Sequence, residues 1–109
     1  MNVKDIETRF KSGDFVSDAE RAYLIKNNIE ALCAFMVENN PGSVNFNLRK
    51  MGYNHLGFEP DKKAITRQLQ IFVDRKNTED LDEVIKNFMI DEANVSPDLL
   101  FELKKQFSV

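Results

Sequence analysis

The stretch Ser17–Glu38, SDAERAYLIKNNIEALCAFMVE, decides the fold. Placed on a helix at about 100° per residue, its apolar side chains form two neighbouring stripes rather than one. The first stripe consists of Ala22, Ile25, Ile29, Leu32, Cys33 and Met36, and the second consists of Leu24, Ala31 and Phe35. Together they cover roughly 200° of the helix circumference, about twice the minimum apolar width of a surface helix. Such a helix must be covered on two sides, either inside a helical domain or by a partner.

Local signals mark both ends of this helix. Ser17 and Glu20 have the spacing of a capping box, in which the serine oxygen accepts a backbone N–H and the glutamate reaches back to the serine N–H. The far end lies near Asn39, because the Asn-Pro-Gly that follows cannot continue a helix without cost. We therefore predict one long, continuous central helix over about residues 17–39.

The remaining helices are predicted from the same kinds of signal. Capping residues and prolines mark their starts, glycine marks ends, and apolar side chains recur every three or four residues. The predicted helices cover residues 2–12, 40–51, 61–76, a segment that begins at Asn77 or Thr78, and 96–107, with an irregular connection over 53–59. The predicted fold is an all-α, single-domain bundle over residues 1–109, with five to six helices packed around the long central helix.

Composition indicates a folded protein in a reducing compartment. Apolar residues make up 42% and charged residues 30% of the 109 residues, which is ordinary globular usage. Cys33 is the only cysteine, so the chain can form no intramolecular disulfide and no zinc site built on several thiolates. The first eleven residues lack the apolar core of a signal peptide, and the longest apolar run, Ala31 to Val37, is far short of the ~20 residues that span a bilayer. We expect a cytoplasmic protein without membrane contact, cofactor or metal.

Charge is distributed unevenly along the chain, although the net charge is only −3. Residues 47–76 contain seven basic and three acidic side chains, a local charge of +4, whereas residues 77–109 contain three basic and eight acidic ones, a local charge of −5. The two segments could neutralise each other inside one molecule or drive head-to-tail association. Internal neutralisation is the simpler of the two.

Catalytic chemistry has little support in the sequence. Cys33 and the only histidine, His55, could in principle form a nucleophile and base, but Cys33 lies on the inner stripe of the most apolar helix. The chain contains no phosphate-binding glycine loop, no Gly-x-Ser-x-Gly and no His-Glu-x-x-His. A small-molecule site lined by Phe and Met between helices has no polar anchor in the sequence. We expect a protein that is not an enzyme.

The leading hypothesis is a non-enzymatic protein–protein interaction or assembly module, such as an adaptor, an inhibitor or an accessory protein. The second apolar stripe of the central helix is either core, which we favour, or an interface. The aromatic connection between two glycines either folds inward to close the end of the bundle, which we also favour, or binds a partner. The candidate interface residues are Leu24, Phe35, Tyr53, Phe58 and Ile71. A protein partner or self-association is therefore expected.

The alternative is a nucleic-acid-binding regulator of the helix-turn-helix kind. The helix at 61–76 would present Lys62, Lys63, Arg67 and Gln70 to a groove. Two features count against this reading. The connection before that helix has about eight residues where the motif uses three or four, and the molecule is acidic overall.

Overall fold

Six α-helices and one short 3₁₀-helix form the described part of the chain, which in this computed structural model comprises residues 1–53, 61–76 and 91–107. The helices are α1 (Val3–Ser12), α2 (Asp18–Asn27), α3 (Ile29–Asn39), α4 (Pro41–Lys50), α5 (Lys62–Lys76) and α6 (Pro97–Phe107), and the 3₁₀-helix covers Glu92–Asn94. These ranges contain no β-strand, so the all-α fold class is confirmed for them. The helix predicted to begin at Asn77 or Thr78 and nearly all of the predicted connection lie outside the described residues.

The continuous central helix predicted over residues 17–39 is wrong, because the chain breaks at Asn28. The backbone of Asn28 is extended, with φ −136° and ψ 110°, so it ends α2 and begins α3. Its side-chain oxygen accepts the backbone N–H of Ala31 at 3.0 Å, and its amide nitrogen donates to the Glu7 carboxylate of α1 at 2.7 Å. An asparagine side chain that replaces backbone hydrogen bonds in this way favours a helix start over a helix interior.

The two helices on either side of the break have different neighbours. α2 packs against α1 and α6, α3 packs against α4 and α5, and α2 and α3 also contact each other. Most side chains of both predicted stripes are buried, including Leu24 and Phe35 at 2% and 7% exposure. Ile29, directly after the break, is 41% exposed. The apolar side chains predicted to lie on two sides of one helix are therefore covered by different neighbours of two helices, α2 and α3.

The predicted starts of α4 and α6 are confirmed by their hydrogen bonds. The side-chain oxygen of Asn40 accepts the backbone N–H of Ser43 at 3.1 Å, with Pro41 at the first helical position of α4. The hydroxyl of Ser96 accepts the backbone N–H of Leu99 at 3.3 Å at the start of α6. These local caps satisfy backbone donors that the first turn of a helix leaves without a partner.

A cluster of charges fastens α1 to the start of α2, and we call it the α1–α2 junction. The capping box is present, since Ser17 accepts the Glu20 backbone N–H at 3.1 Å and the Glu20 carboxylate accepts the Ser17 N–H at 3.3 Å. The Arg9 guanidinium pairs with the Glu20 carboxylate and donates to the Phe15 carbonyl at 3.0 Å. The hydrogen bond from Arg9, with the Ser17 backbone next, lowers the pKa of Glu20 to about 2. The charges of Arg9 and Glu20 are therefore satisfied by partners within the molecule.

The C-terminal end of α3 is tied to the segment before α6. Asn39 is 8% exposed, and its amide nitrogen donates to the Asp91 carbonyl at 3.2 Å while its oxygen accepts the Asp91 backbone N–H at 2.7 Å. The Asn94 side chain donates to the Asn39 carbonyl at 3.2 Å. A buried amide with both groups satisfied stabilises the close approach of two segments that are far apart in sequence.

Cys33 lies in the core with no exposed surface, as predicted. Burial, with a smaller contribution from the negative charge of Asp74, raises the pKa of its thiol to about 12. A protonated and inaccessible thiol is unreactive. Cys33 is therefore a packing residue.

Candidate protein-binding groove

An open cavity of about 640 Å³ runs between α3 and α5. On α3 it is lined by Glu30, Ala34, Val37 and Glu38, which are spaced i, i+4, i+7 and i+8 and so lie on one helix face. On α5 it is lined by Lys62, Lys63, Thr66, Arg67 and Gln70, which also share one face. Each wall spans eight residue steps, or about 12 Å of helix.

The two walls carry charges of opposite sign. Lys62, Lys63 and Arg67 make the α5 wall basic, while Glu30 and Glu38 make the α3 wall acidic. All five side chains belong to exposed residues, and within the described ranges no ion pair of 4.0 Å or less joins the walls. The charges face the same open space without neutralising each other by contact.

The basic wall breaks a local rule of helix stability. Lys62 and Lys63 occupy the first turn of α5, where the helix dipole favours acidic side chains and disfavours basic ones. The only favourable capping charge described there is Asp61, whose carboxylate accepts the Ala64 backbone N–H at 2.7 Å. Two cations at the positive end of a helix concentrate positive potential at one end of the cavity.

A smaller cavity of about 130 Å³ extends the first one towards α1. Both cavities are lined by Glu30 and Ala34, so they adjoin each other across the outer face of α3. The smaller one has a more apolar lining, with Leu24 and Ala31 in its floor and the half-exposed ring of Phe10 from α1. We call the two cavities together the α3 groove.

The floor of the α3 groove is made of small apolar side chains. Ala31 is half-buried, Ala34 is exposed, and Val37 is 1% exposed beneath them. Because alanine side chains end at Cβ, the backbone of another helix can approach α3 closely along this line. The groove therefore combines a shallow apolar floor with walls that carry charge.

The structure separates the residues predicted as a protein interface. Leu24 and Phe35 are buried, at 2% and 7% exposure, and of the two only Leu24 lines the α3 groove, in its smaller cavity. Tyr53 is half-buried, with its ring edge-to-face against Phe72 at 5.2 Å between centroids. Ile71 is 41% exposed, and Phe58 lies outside the described residues.

The residues predicted as nucleic-acid contacts are brought together. Lys62, Lys63 and Arg67 are exposed, Gln70 is half-buried, and all four line the α5 wall of the groove. Sequence reasoning missed the α3 wall opposite them. The sequence contains a signal for this wall, because Glu30 and Glu38 are eight residues, or about two turns, apart on one helix face. These residues form a cavity wall only because α3 packs on α5.

Comparison with known proteins leaves geometry and charge as the basis for a functional proposal. No protein-family model, no curated protein and no solved structure matches the chain. Within residues 1–53, 61–76 and 91–107, no group of three or more His, Cys, Asp or Glu side chains could hold a metal ion. No helix in those same ranges has both the length and the apolar content needed to cross a bilayer.

Proposed function

We propose that this protein is a non-enzymatic interaction module that binds an amphipathic helix of a partner protein in the α3 groove. The observation that carries the proposal is the apolar alanine floor lying between basic and acidic walls whose charges have no mutual contacts. Grooves of this kind recognise helices through apolar side chains spaced three and four residues apart. A cytoplasmic location belongs to the same proposal.

The geometry of the groove supports a definite set of features for the proposed partner helix. About 12 Å of groove corresponds to two turns of helix, so a short segment fills it. Its apolar stripe would rest on Ala31 and Ala34, its acidic side chains would face Lys62, Lys63 and Arg67, and its basic side chains would face Glu30 and Glu38. Two turns of helix bury less than the ~800 Å² per partner of a standard interface, which favours a transient complex.

Peptide selection tests this proposal directly. A displayed library of helical peptides of two to four turns is selected on the wild-type protein, and the enriched peptides are measured against two charge-reversal variants. Arg67→Glu lies in the α5 wall, while the matched control, Lys105→Glu, lies on α6 with a side chain that is 57% exposed. Enriched peptides should be amphipathic with acidic residues on one flank, and should bind Arg67→Glu about tenfold more weakly while binding Lys105→Glu unchanged.

Three outcomes contradict the proposal. Equal loss of binding in both variants means that the peptides respond to overall charge rather than to the groove. Unchanged binding to Ala34→Arg, in which a long side chain crosses the floor, places the peptides elsewhere on the molecule. Concentration-dependent dimerisation that Ala34→Arg abolishes would instead identify a second copy of this chain as the occupant.

Nucleic-acid binding is a second candidate, supported by the four polar and basic side chains on one wall of α5. Glu30 and Glu38 in the opposite wall disfavour it, because a phosphate in the groove would meet two carboxylates. If the protein binds nucleic acid, it should bind a labelled DNA or RNA oligonucleotide saturably. The affinity should fall steeply as salt is raised, and it should also fall in Arg67→Glu. Absence of a change in fluorescence anisotropy at low salt removes this candidate.

A further inference from the structure

A third cavity, of about 310 Å³, lies where α2, α3 and the start of α6 meet. Its lining includes Arg21 of α2, Phe35 and Glu38 of α3, and Asn94, Val95 and Leu99 from the segment that leads into α6. We propose that this cavity binds a small zwitterion of the α-amino acid class, with its carboxylate on Arg21 and its ammonium on Glu38. This site is separate from the helix-binding role of the α3 groove, although Glu38 lines both.

Arg21 provides the first half of the site. Its guanidinium carbon lies 5.8 Å from the ring centroid of Phe10 and 6.0 Å from that of Phe35, so two aromatic contacts hold it in place. Arg21 is partly buried, and no oxygen atom of the described residues accepts a hydrogen bond from its guanidinium group. A positioned guanidinium with unused N–H donors is suited to a carboxylate, which it can bind through two parallel hydrogen bonds.

Glu38 provides the second half. It lines the same cavity as Arg21, yet the two side chains form no ion pair within 4.0 Å. A cation and an anion that line one cavity without contact can both be satisfied by a ligand that carries the two opposite charges. The carboxylate of Glu38 also disfavours phosphates and dicarboxylates, which would add negative charge beside it.

Polar groups near the start of α6 can complete the recognition of a zwitterion. The Asn94 amide nitrogen is used by the Asn39 carbonyl at 3.2 Å and by the Asp91 carboxylate at 3.0 Å, which leaves its side-chain oxygen to accept from an ammonium group. The Ser96 hydroxyl oxygen accepts the Leu99 N–H at 3.3 Å, which leaves its proton to donate to a carboxylate. Both residues line the cavity.

The apolar part of the lining indicates the kind of side chain the ligand carries. Phe35, Val95 and Leu99 are buried at 7%, 8% and 3% exposure and offer aliphatic and aromatic surface. The volume of about 310 Å³ is at the lower end of the range for small-molecule sites. An amino acid with a medium aliphatic side chain fits both features, so L-leucine is the probe of choice.

Titration followed by NMR of the ¹⁵N-labelled protein tests the site. L-leucine should shift the backbone amide signals of residues near Arg21, Phe35 and Val95 saturably, with a Kd of about 1 mM. N-acetyl-L-leucine, which lacks the ammonium, and L-leucinamide, which lacks the carboxylate, should each bind roughly tenfold more weakly. Arg21→Gln should weaken L-leucine binding to a similar degree, whereas Lys105→Gln on α6, which removes one positive charge from a residue that lines neither cavity, should leave it unchanged.

Each possible result of the titration either supports or overturns the proposed site. If Arg21→Gln is unfolded by its amide spectrum, Arg21→Lys replaces it and should still weaken binding, because lysine cannot reproduce the two parallel hydrogen bonds. No saturable shift with L-leucine at about 10 mM, well above the expected Kd, overturns the proposal. Equal binding of either blocked analogue overturns the assignment of a zwitterion. Failure here leaves the peptide-binding result at the α3 groove unaffected, since that result is read with Arg67 and Lys105 variants.

Discussion

The α1–α2 junction and the α3 groove both bring opposite charges together, but the charges have different contacts in the two regions. At the α1–α2 junction, Arg9 pairs with Glu20 and with Asp5 at 3.2 Å, and the Glu20 carboxylate also closes a capping box with Ser17. In the α3 groove, basic and acidic side chains line the same cavity without touching. Charges that stabilise the fold and charges that have no contact with each other therefore differ in their hydrogen bonds and ion pairs, not in their number.

The position of each charge relative to its helix supports the same distinction. Glu20 lies in the first turn of α2, where the helix dipole stabilises a carboxylate. Lys62 and Lys63 lie in the first turn of α5, where the dipole destabilises an ammonium group. The junction therefore agrees with local stability rules, whereas the groove violates one, and such violations are expected where a surface serves function rather than stability.

The largest effect on stability is expected at the junction, from Ser17→Ala. This substitution removes the cap of α2 and should lower the free energy of unfolding by about 1 kcal/mol, with a range of roughly 0.5–2. The control is Ser12→Ala, whose exposed hydroxyl only donates back to the Thr8 carbonyl at 2.9 Å. Urea unfolding measures both, and equal effects would show that the capping box has no special role.

The next effect is a dependence of stability on pH that comes from Glu20. Its pKa is lowered from 4.5 to about 2, chiefly by the hydrogen bond from Arg9. A carboxyl group with a lowered pKa in the folded state stabilises the protein above its unfolded-state value, and this contribution is lost as pH falls towards the folded value. The difference in urea midpoint between wild type and Glu20→Gln should therefore shrink as pH falls from about 5 to about 2. A difference that stays constant over this window contradicts the pairing with Arg9.

The smallest effect on the free energy of unfolding is expected in the α3 groove, where the test depends on whether the substitution raises or lowers stability. Lys62→Glu places a carboxylate at the start of α5 and should raise stability by about 0.3–1 kcal/mol at low salt. The same change at Lys105, in the last turn of α6, should lower stability slightly, because a carboxylate there opposes the dipole. Thermal unfolding of the two variants provides the test, and destabilisation by Lys62→Glu would mean that Lys62 already has a stabilising partner.

Helix starts are the part of the fold that the sequence predicts well. Ser17, Asn40 and Ser96 cap helices where the local pattern indicates, because each bond joins residues only three positions apart. The break at Asn28 carries the same kind of cap, but it interrupts an apolar pattern that continues in register on both sides. Its extra bond to Glu7 joins residues 21 positions apart, which no local pattern can indicate.

The candidate sites required the tertiary structure. The α5 wall is visible in sequence as a basic helix face, but the opposing Glu30 and Glu38 depend on how α3 packs on α5. The cavity proposed to bind a zwitterion brings Arg21 and Asn94 together across more than seventy positions of sequence. Long-range packing of this kind has no periodic signature, so neither site was among the predicted residue sets as a whole.

A pair of double-mutant cycles tests the contrast between the two regions most directly. One cycle combines Arg9→Gln with Glu20→Gln, and the other combines Arg67→Gln with Glu38→Gln, with unfolding free energies measured in urea at low salt. We predict a clear favourable coupling at the junction and a coupling in the groove that is within about 0.3 kcal/mol of zero. A groove coupling as strong as that at the junction would contradict this contrast, because those charges would then be neutralised within the molecule rather than available to the proposed partner.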